Sequence, residues 1–254
     1  MVKKIVGVVV IGLLLSSPAF AQTYEKGWID VNFGTAQSSQ TDFTSAFAVT
    51  LFNETGALAA AYPKPNRGAD FDFGGGFMFS PVIGVGLSVS GTAHEDPAGL
   101  AITVPHPFFF NASTTASGAT EDVLKRTEGA YHMQLAAVPL RTDRLVIRLF
   151  GGPSYFRVMQ DLVSDINYVQ VATLFSRVNN VTVSGWDGNS KVEGTGWGFN
   201  AGADVGVFFT RVVGVGAVVR FSRANVDLAD PLSETSIAMK AGGIQLGGGI
   251  RLKF

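Results

Sequence analysis

Three histidines are the side chains of this sequence best suited to acid–base or metal chemistry. His94 is followed by Glu95 and Asp96, an arrangement that could form a histidine–carboxylate dyad or hold a cation. His106 lies between two prolines, which restrict the local backbone. His132 belongs to a segment in which polar and apolar residues alternate. We expect a solvated loop end at His94, no identifiable partner for His106 and a hydrogen-bonded interior histidine at His132.

The motifs that usually accompany catalysis are absent from the sequence. There is no nucleophile elbow, no His-Glu-x-x-His helix and no phosphate-binding P-loop. The glycine runs at Gly74–Gly76 and Gly247–Gly249 lack the strand-to-helix context of nucleotide-binding loops. Glycines of this kind are typical of places where strands bend and approach closely. We therefore expect no enzyme, no cofactor and no metal site.

A different set of ionisable residues recurs at positions that alternate with apolar ones. These residues are Asp30, Asp72, Arg148, Asp204, Arg220, Arg251 and Lys253. Successive side chains of a β-strand point to opposite faces, so each segment has one apolar face and one face that carries the charge. A sheet is therefore needed to position these groups.

Eight segments of the chain alternate in this way. The last is the clearest, because Ile244, Leu246, Ile250 and Leu252 share one face while glycine, Gln245 and Arg251 occupy the other. The eight segments cover residues 29–33, 70–79, 83–90, 131–137, 145–150, 197–207, 213–222 and 244–254. Alternation of this length indicates strands that are apolar on one face only.

Composition favours a membrane barrel over a soluble sheet. Hydrophobic residues make up 46% of the 254 residues and charged residues only 15%, whereas soluble domains carry about 25% charge. The less apolar faces consist mostly of glycine, serine and alanine, which suit a narrow lumen better than a solvated surface. The absence of cysteine excludes disulfides, thiolate metal sites and a lipoprotein anchor. The net charge of −1, without a basic stripe, argues against nucleic-acid binding.

The lengths of the connections point to the same architecture. The short connections are residues 80–82, 139–143 and 210–212, and the longer ones are residues 35–68, 91–127, 159–194 and 226–238. Strict alternation of short and long connections is typical of barrels with periplasmic turns and extracellular loops. The prediction is an all-β fold, an eight-stranded antiparallel up-and-down transmembrane β-barrel with long extracellular loops. A ten-stranded barrel, with residues 166–184 as an extra hairpin, is the alternative.

The first 21 residues have the pattern of a cleavable signal peptide. Lys3 and Lys4 precede an apolar stretch over residues 5–15, and Ala19-Phe20-Ala21 forms a small-x-small cleavage site. We expect residues 22–254 to form a single domain that is exported to the bacterial outer membrane.

Together these features resemble the small outer-membrane β-barrel proteins of the OmpA/OmpX type. The most specific part of the resemblance is the C-terminal Gly249-Ile250-Arg251-Leu252-Lys253-Phe254, in which Gly249, Leu252 and Phe254 are similar to the signal read by the barrel-assembly machinery. The resemblance implies outer-membrane lipid and lipopolysaccharide as surroundings and a monomeric state. Enzymes among outer-membrane barrels place a histidine with serine or aspartate near the outer rim, and this chain offers no clear equivalent.

Charges inside a narrow barrel must be paired or hydrated, because burying an unpaired charge costs several kcal/mol. Counting residues from the periplasmic ends of adjacent strands predicts Asp30–Arg251 and Arg148–Asp204 contacts, with Asp72 and Arg220 higher in the lumen. We interpret the set as structural ion pairs; a gate for ions is the alternative.

The long connections contain apolar stretches at residues 43–52, 100–104, 108–110 and 166–175. Such stretches either pack on one another as a cap over the barrel mouth or form an interaction surface for an extracellular ligand. The predicted function is a structural or surface-interaction role in the outer membrane. A narrow porin-like channel for small solutes is the second hypothesis, and a lipid-acting enzyme is the third.

Overall fold

The computed structural model describes residues 25–187 and 190–254. Within them the chain forms fourteen β-strands, every pair of which is antiparallel. The strands are β1 Gly27–Ser38, β2 Phe43–Leu51, β3 Glu54–Tyr62, β4 Gly68–Met78, β5 Ile83–Asp96, β6 Gly99–Pro105, β7 Ser113–Ala119, β8 Leu124–Arg141, β9 Leu145–Leu162, β10 Asp165–Ala172, β11 Asn179–Asp187, β12 Ser190–Phe208, β13 Val213–Ala229 and β14 Ser236–Lys253. No helix of the described part is long and apolar enough to cross a membrane. The signal peptide predicted at residues 1–21 lies outside the described residues.

Eight strands close into a barrel in the order β1-β14-β13-β12-β9-β8-β5-β4. Each strand pairs with its neighbours along the chain, and β1 closes the ring by pairing with β14. The eight-stranded antiparallel barrel predicted from the alternation is therefore confirmed. The ten-stranded alternative is wrong, because β10 and β11 pair with each other outside the ring.

The alternation of residue types separates side chains that point into the barrel from side chains that point outward. On β1, Asn32 is 2% exposed whereas the adjacent Phe33 is 65% exposed. On β5, Ser88 is buried while Leu87 is 65% exposed. The barrel is thus largely inverted relative to a soluble protein, with mostly apolar side chains outside and mostly polar ones in the lumen, although Phe156, Val158 and Met239 belong to an apolar cluster inside it.

The barrel strands extend further into the long connections than the sequence predicts. The connection expected at residues 91–127 is strand up to Asp96 and again from Leu124, and β9 and β12 likewise continue to Leu162 and from Ser190. The expected turn at residues 139–143 is also shorter, since β8 continues through Pro139 to Arg141. The register shifts between Ala137 and Leu140, where proline cannot donate to the ladder.

The remaining strands form a second folded layer, which we call the cap. It consists of a four-stranded sheet in the order β2-β3-β6-β7 and the β10–β11 hairpin. Its core is made of apolar side chains from both parts, including Leu58, Ile102 and Ile166, which are all nearly inaccessible to solvent. Residues of the apolar stretches at 43–52, 100–104 and 166–175 therefore pack together above the barrel, whereas Phe108 and Phe110 remain exposed.

Candidate functional site

The lumen is filled by layers of side chains, and one layer near its lower end holds four of the seven charged residues singled out in the sequence. Arg148 Nη1 donates to Asp30 Oδ2 at 2.6 Å, and Arg251 Nε donates to Asp204 Oδ1 at 2.8 Å. The other two combinations are close as well, with 3.6 Å between Arg148 and Asp204 and 3.5 Å between Arg251 and Asp30. All four side chains are buried, so the layer is a closed ring of two cations and two anions.

The predicted Asp30–Arg251 and Arg148–Asp204 contacts are present as ion pairs of 3.5 and 3.6 Å, but the hydrogen bonds run across the lumen to the other partner of each residue. Asp30 is opposite Arg251 in the β1–β14 register, and Asp204 is opposite Arg148 in the β12–β9 register. Yet Arg251 reaches past β13 to Asp204. Gly216 of β13 provides the space for the Arg251 side chain, because a Cβ atom at this position would lie 2.8 Å from Arg251 Nε. Arg251 therefore bonds a partner two strands away, and Arg148 reaches across the lumen to Asp30 on β1.

The next layer upward is built around Arg220. Its Nη1 donates to Asp72 Oδ2 at 2.6 Å, and its Nη2 donates to Ser88 Oγ at 3.0 Å. Asn32 Nδ2 donates to the other oxygen of Asp72 at 2.9 Å. The guanidinium also lies 5.3 Å from the centre of the Phe150 ring. Asp72 and Arg220 therefore lie higher in the lumen than the ring of four and pair with each other.

His132 occupies the middle of the lumen. Its Nε2 lies 3.0 Å from Ser90 Oγ and its Nδ1 lies 2.7 Å from Ser154 Oγ, and the ring is 1% exposed. Asn200 Nδ2 donates to the same Ser154 Oγ at 2.9 Å. A serine on each side makes this a hydrogen-bond bridge between strands. Among the residues that the structure describes, no carboxylate is hydrogen-bonded to the imidazole, and the ring is almost inaccessible to solvent.

An ion pair that the sequence reasoning missed closes the top of the lumen. Arg126 Nε donates to Glu128 Oε1 at 2.8 Å, and Arg126 Nη1 donates to Gln160 Oε1 at 2.9 Å. The second oxygen of Glu128 accepts from Gly242 N at 2.6 Å. Gly242 has φ +82°, which fixes a kink in β14 that a side chain would strain.

A sequence signal for this pair existed. Arg126 and Glu128 have the same parity as Ala130 and His132, so the alternation of β8 continues through them. The predicted strand begins at Tyr131, which leaves Arg126 in the connection 91–127 and Glu128 outside the strand.

The packing of these layers leaves little free volume. The cavities along the barrel axis measure about 10–20 Å³ each, and one water needs about 10–15 Å³. An apolar floor below the ring of four, made by Trp28, Met78 and Phe208 among others, closes the lower end. Arg148 stacks on the Trp28 ring at 4.3 Å.

The other two histidines do not lie where the sequence suggested. His94 was expected at a solvated loop end, but it is 3% exposed on β5, and its Nδ1 lies 2.7 Å from the carbonyl oxygen of Asn66. This prediction was wrong because the strand continues inward-facing to that point. His106 is 2% exposed, its Nδ1 accepts from Phe108 N at 3.1 Å, and its Nε2 lies 3.1 Å from Ser176 O. It ties two turns of the cap together.

The three turns of the cap meet at its far end. Each cap hairpin starts and ends at a barrel strand, so its turn points away from the barrel. Asn111 N donates to Glu54 Oε1 at 2.6 Å and joins the β6–β7 turn to the β2–β3 turn. The His106–Ser176 contact joins the β6–β7 turn to the β10–β11 turn. The three turns thus form one connected surface.

The C-terminal residues of the predicted assembly signal lie at the seam of the barrel. Gly249 and Leu252 belong to β14, which pairs with β1. Phe254 is 65% exposed on the outside, and its backbone exchanges hydrogen bonds with Gly27 at 3.0 and 2.9 Å. The last residue therefore helps to close the ring. Lys253 points inward and pairs with Glu25 at 2.6 Å.

No protein-family model matches the chain, and no curated protein sequence matches it. Among solved structures, the chain is similar to the outer membrane protein OprG from Pseudomonas aeruginosa, with 10% identity and a TM-score of 0.50 over 91% of this chain and 97% of OprG. It is also similar to the outer membrane protease OmpT from Escherichia coli, with 11% identity and a TM-score of 0.47 over 94% of this chain and 100% of OmpT. Ail, the attachment invasion locus protein of Yersinia pestis, solved with the heparin analogue sucrose octasulfate, has 12% identity and a TM-score of 0.35 over 89% of this chain and 99% of Ail.

The likeness to OprG concerns the fold, since the identity is low. It agrees with the closed ring of eight strands and with the inverted distribution of polar and apolar side chains. The chain therefore has the fold of an outer-membrane β-barrel protein.

Proposed function

We propose that this chain is a monomeric integral outer-membrane protein that presents a folded cap to the exterior and acts by structural or surface interaction, without catalysis. The observation that carries the proposal is the combination of a filled lumen with a cap that has its own apolar core. Because ion pairs occupy the interior of the barrel, we infer that the barrel is a scaffold for the cap and does not form a channel for solutes.

The outer surface of the barrel supports residence in a membrane. A continuous belt of exposed apolar side chains surrounds it, of a kind that water-soluble proteins rarely expose. Aromatic residues border the belt at both ends, as they do at lipid–water interfaces. The turn-side aromatics are Phe79, Phe209 and Phe254, and the cap-side aromatics are Phe71, Tyr131, Trp197, Phe199 and Phe221.

Membrane residence and orientation can be tested together. We expect the full-length protein in the outer-membrane fraction, with a gel mobility that changes on heating because the barrel resists detergent until it is boiled. Trypsin added to intact cells should cut at the exposed cap residue Arg177 and spare the exposed turn residues Arg144 and Arg211. Absence from the outer-membrane fraction, or cuts at the turns with an intact cap, would contradict the proposal.

The packing of the lumen supports a plug in preference to the channel hypothesis. The ring of four charges and the Asp72–Arg220 pair lie across the axis, with cavities of about 10–20 Å³ between the layers. We expect no conductance steps from the purified protein in planar bilayers. Reproducible conductance that is lost in Arg148→Ala or Asp204→Ala would favour the channel.

The resemblance to OmpA/OmpX-type barrels supports two further partners, the barrel-assembly machinery and lipopolysaccharide. The exposed Phe254 at the seam is well placed for recognition during assembly. Replacement Phe254→Ser should lower the amount of heat-modifiable protein in the outer membrane, whereas the matched change Phe209→Ser at another turn should leave it nearly unchanged. Equal losses in both variants would argue against a C-terminal signal.

A further inference from the structure

The far end of the cap carries apolar side chains where a solvent-exposed turn would ordinarily be polar. We call this surface the apolar tip; it consists of Phe52 on the β2–β3 turn, Phe108 and Phe110 on the β6–β7 turn, and Leu174, Phe175 and Val178 on the β10–β11 turn. Phe175 is 94% exposed and Phe110 is 72% exposed. Exposed apolar groups gathered on one surface mark a site of interaction.

The tip is held in place by the cap beneath it. The Asn111–Glu54 and His106–Ser176 contacts fasten the three turns to one another, and Gln170 Nε2 donates to Pro105 O at 3.0 Å just below them. The apolar side chains therefore project from a connected base, and little ordering is needed when they meet a partner.

The backbone at Phe52 is a second, independent observation. Phe52 and Asn53 form the two-residue turn of the β2–β3 hairpin, with φ of 53° and 60°. Such turns favour asparagine, aspartate and glycine, because a large side chain is strained at positive φ. Phe52 is 49% exposed, so about half of this large side chain does not contribute to the packing of the cap. Strain of this kind points to a role outside the fold.

The chemistry of the tip fits a lipid surface better than a protein pocket. Its exposed anchors are phenylalanine, leucine and valine on separate projecting turns, and phenylalanine and leucine are side chains that anchor peripheral segments in a lipid interface. The Glu54 carboxylate is engaged by Asn111 N, and the Arg177 guanidinium lies 6.0 Å from the centre of the Phe109 ring. Among the described residues no carboxylate lies within ion-pair distance of Arg177, which leaves its charge for a phosphate at the headgroup level.

The distance from the barrel decides which lipid surface is in reach. The cap strands β2, β6 and β10 contain 9, 7 and 8 residues, and a strand rises about 3.3 Å per residue. The tip thus lies beyond the cap sheet, away from the membrane that holds the barrel. We propose that the apolar tip inserts into the phospholipid surface of an opposing membrane, an inference that rests on the proposed outer-membrane location with the cap outside.

The test uses the full-length protein in lipid nanodiscs, mixed with separate phosphatidylcholine vesicles and separated by flotation. We expect the nanodiscs to float with the vesicles, and the binding to persist in 0.5 M salt because apolar insertion is not screened. The double variant Phe110→Ser/Phe175→Ser should bind at least tenfold more weakly. The matched control Phe47→Asn, at an exposed phenylalanine lower on β2, should bind within twofold of the unchanged protein.

The variant Phe52→Asn separates the tip from the stability of the cap. Asparagine suits the turn better than phenylalanine, so the cap should resist trypsin at least as well, yet vesicle binding should fall severalfold. The inference is overturned by absence of vesicle binding, by equal binding of the double variant, by binding that needs anionic lipid and disappears in salt, or by tip-to-tip pairing of nanodiscs without vesicles. Protein that is found in the outer membrane with an accessible cap but binds no vesicles overturns this inference alone, whereas absence from the outer membrane overturns the proposed function.

Discussion

The middle of the barrel buries mostly polar and charged side chains and the cap buries mostly apolar ones, although both are antiparallel β-sheet. Inside the barrel lie Arg126, Arg251 and His132, and inside the cap lie Ile102, Val104 and Ile166. The outer faces are reversed to match, since lipid replaces water around the barrel. The comparison teaches that the solvent outside a sheet decides which of its two faces carries the charge. The two regions should therefore fail for different reasons.

The largest effect is expected in the ring of four charges. Replacement Asp204→Leu leaves Arg251 buried without its hydrogen-bond partner, and breaking one side of a buried ion pair costs about 3–5 kcal/mol. The barrel should lose its heat-modifiable migration at a lower temperature, as measured by a gel series. The double variant Asp204→Leu/Arg251→Leu should recover much of the loss, and failure to recover would argue against a specific pair.

The cap should be destabilised by a cavity in its apolar core, without the removal of any charge. Replacement Ile102→Ala removes a side chain that is 0% exposed, and such truncations cost about 2–5 kcal/mol. We expect faster trypsin cleavage in the cap while the barrel keeps its heat-modifiable migration. The exposed Ile83→Ala on the barrel serves as the control. Simultaneous loss of the barrel would show that the two regions unfold together.

On the outer face of the barrel, adding a charge should be destabilising, whereas in the lumen removing a charge is destabilising. Replacement Leu87→Arg places a charge on a side chain that is 65% exposed, and such a charge near the middle of a bilayer costs about 2–4 kcal/mol. Urea unfolding in lipid vesicles should show this loss. The neighbouring Ser88→Ala, inside the lumen, should show a smaller one. If Leu87→Arg were harmless, the belt would not face lipid.

The smallest effect is expected from alkaline pH acting on the cap. Burial raises the pKa of Tyr62 to about 12, and its hydroxyl oxygen accepts from Val163 N at 2.8 Å. The unfolded chain then loses this proton near pH 10, before the folded chain does, so the cap's stability is intact below pH 10 and falls as the pH rises towards 12. At 1.36 kcal/mol per pKa unit the loss approaches about 2–3 kcal/mol. Proteolysis of the cap should accelerate over this range, and Tyr62→Phe should remove the acceleration attributable to this group.

The barrel was largely predictable because alternation is a local property. Each residue's parity within its strand decides whether it faces lipid or lumen, and Phe33, Asn32 and Leu87 all lie on the predicted faces. Prediction was less accurate where the alternation weakens above the belt. His94, Arg126 and Glu128 lie on strands that were assigned to loops, since both faces of a strand can be polar or small once lipid no longer selects one of them.

The sequence by itself determined the number of barrel strands, their order and the residues that face inward, because period-two alternation and the lengths of connections are written along the chain. Only the tertiary structure decided which charges share hydrogen bonds. Arg251 chooses Asp204 over its strand neighbour because the lumen is narrow and Gly216 leaves space between them. The tertiary structure also decided that the loops pack into a cap and bring Phe52, Phe110 and Phe175 to one tip, since the contacts that join these turns link residues 57 and 70 positions apart in the chain.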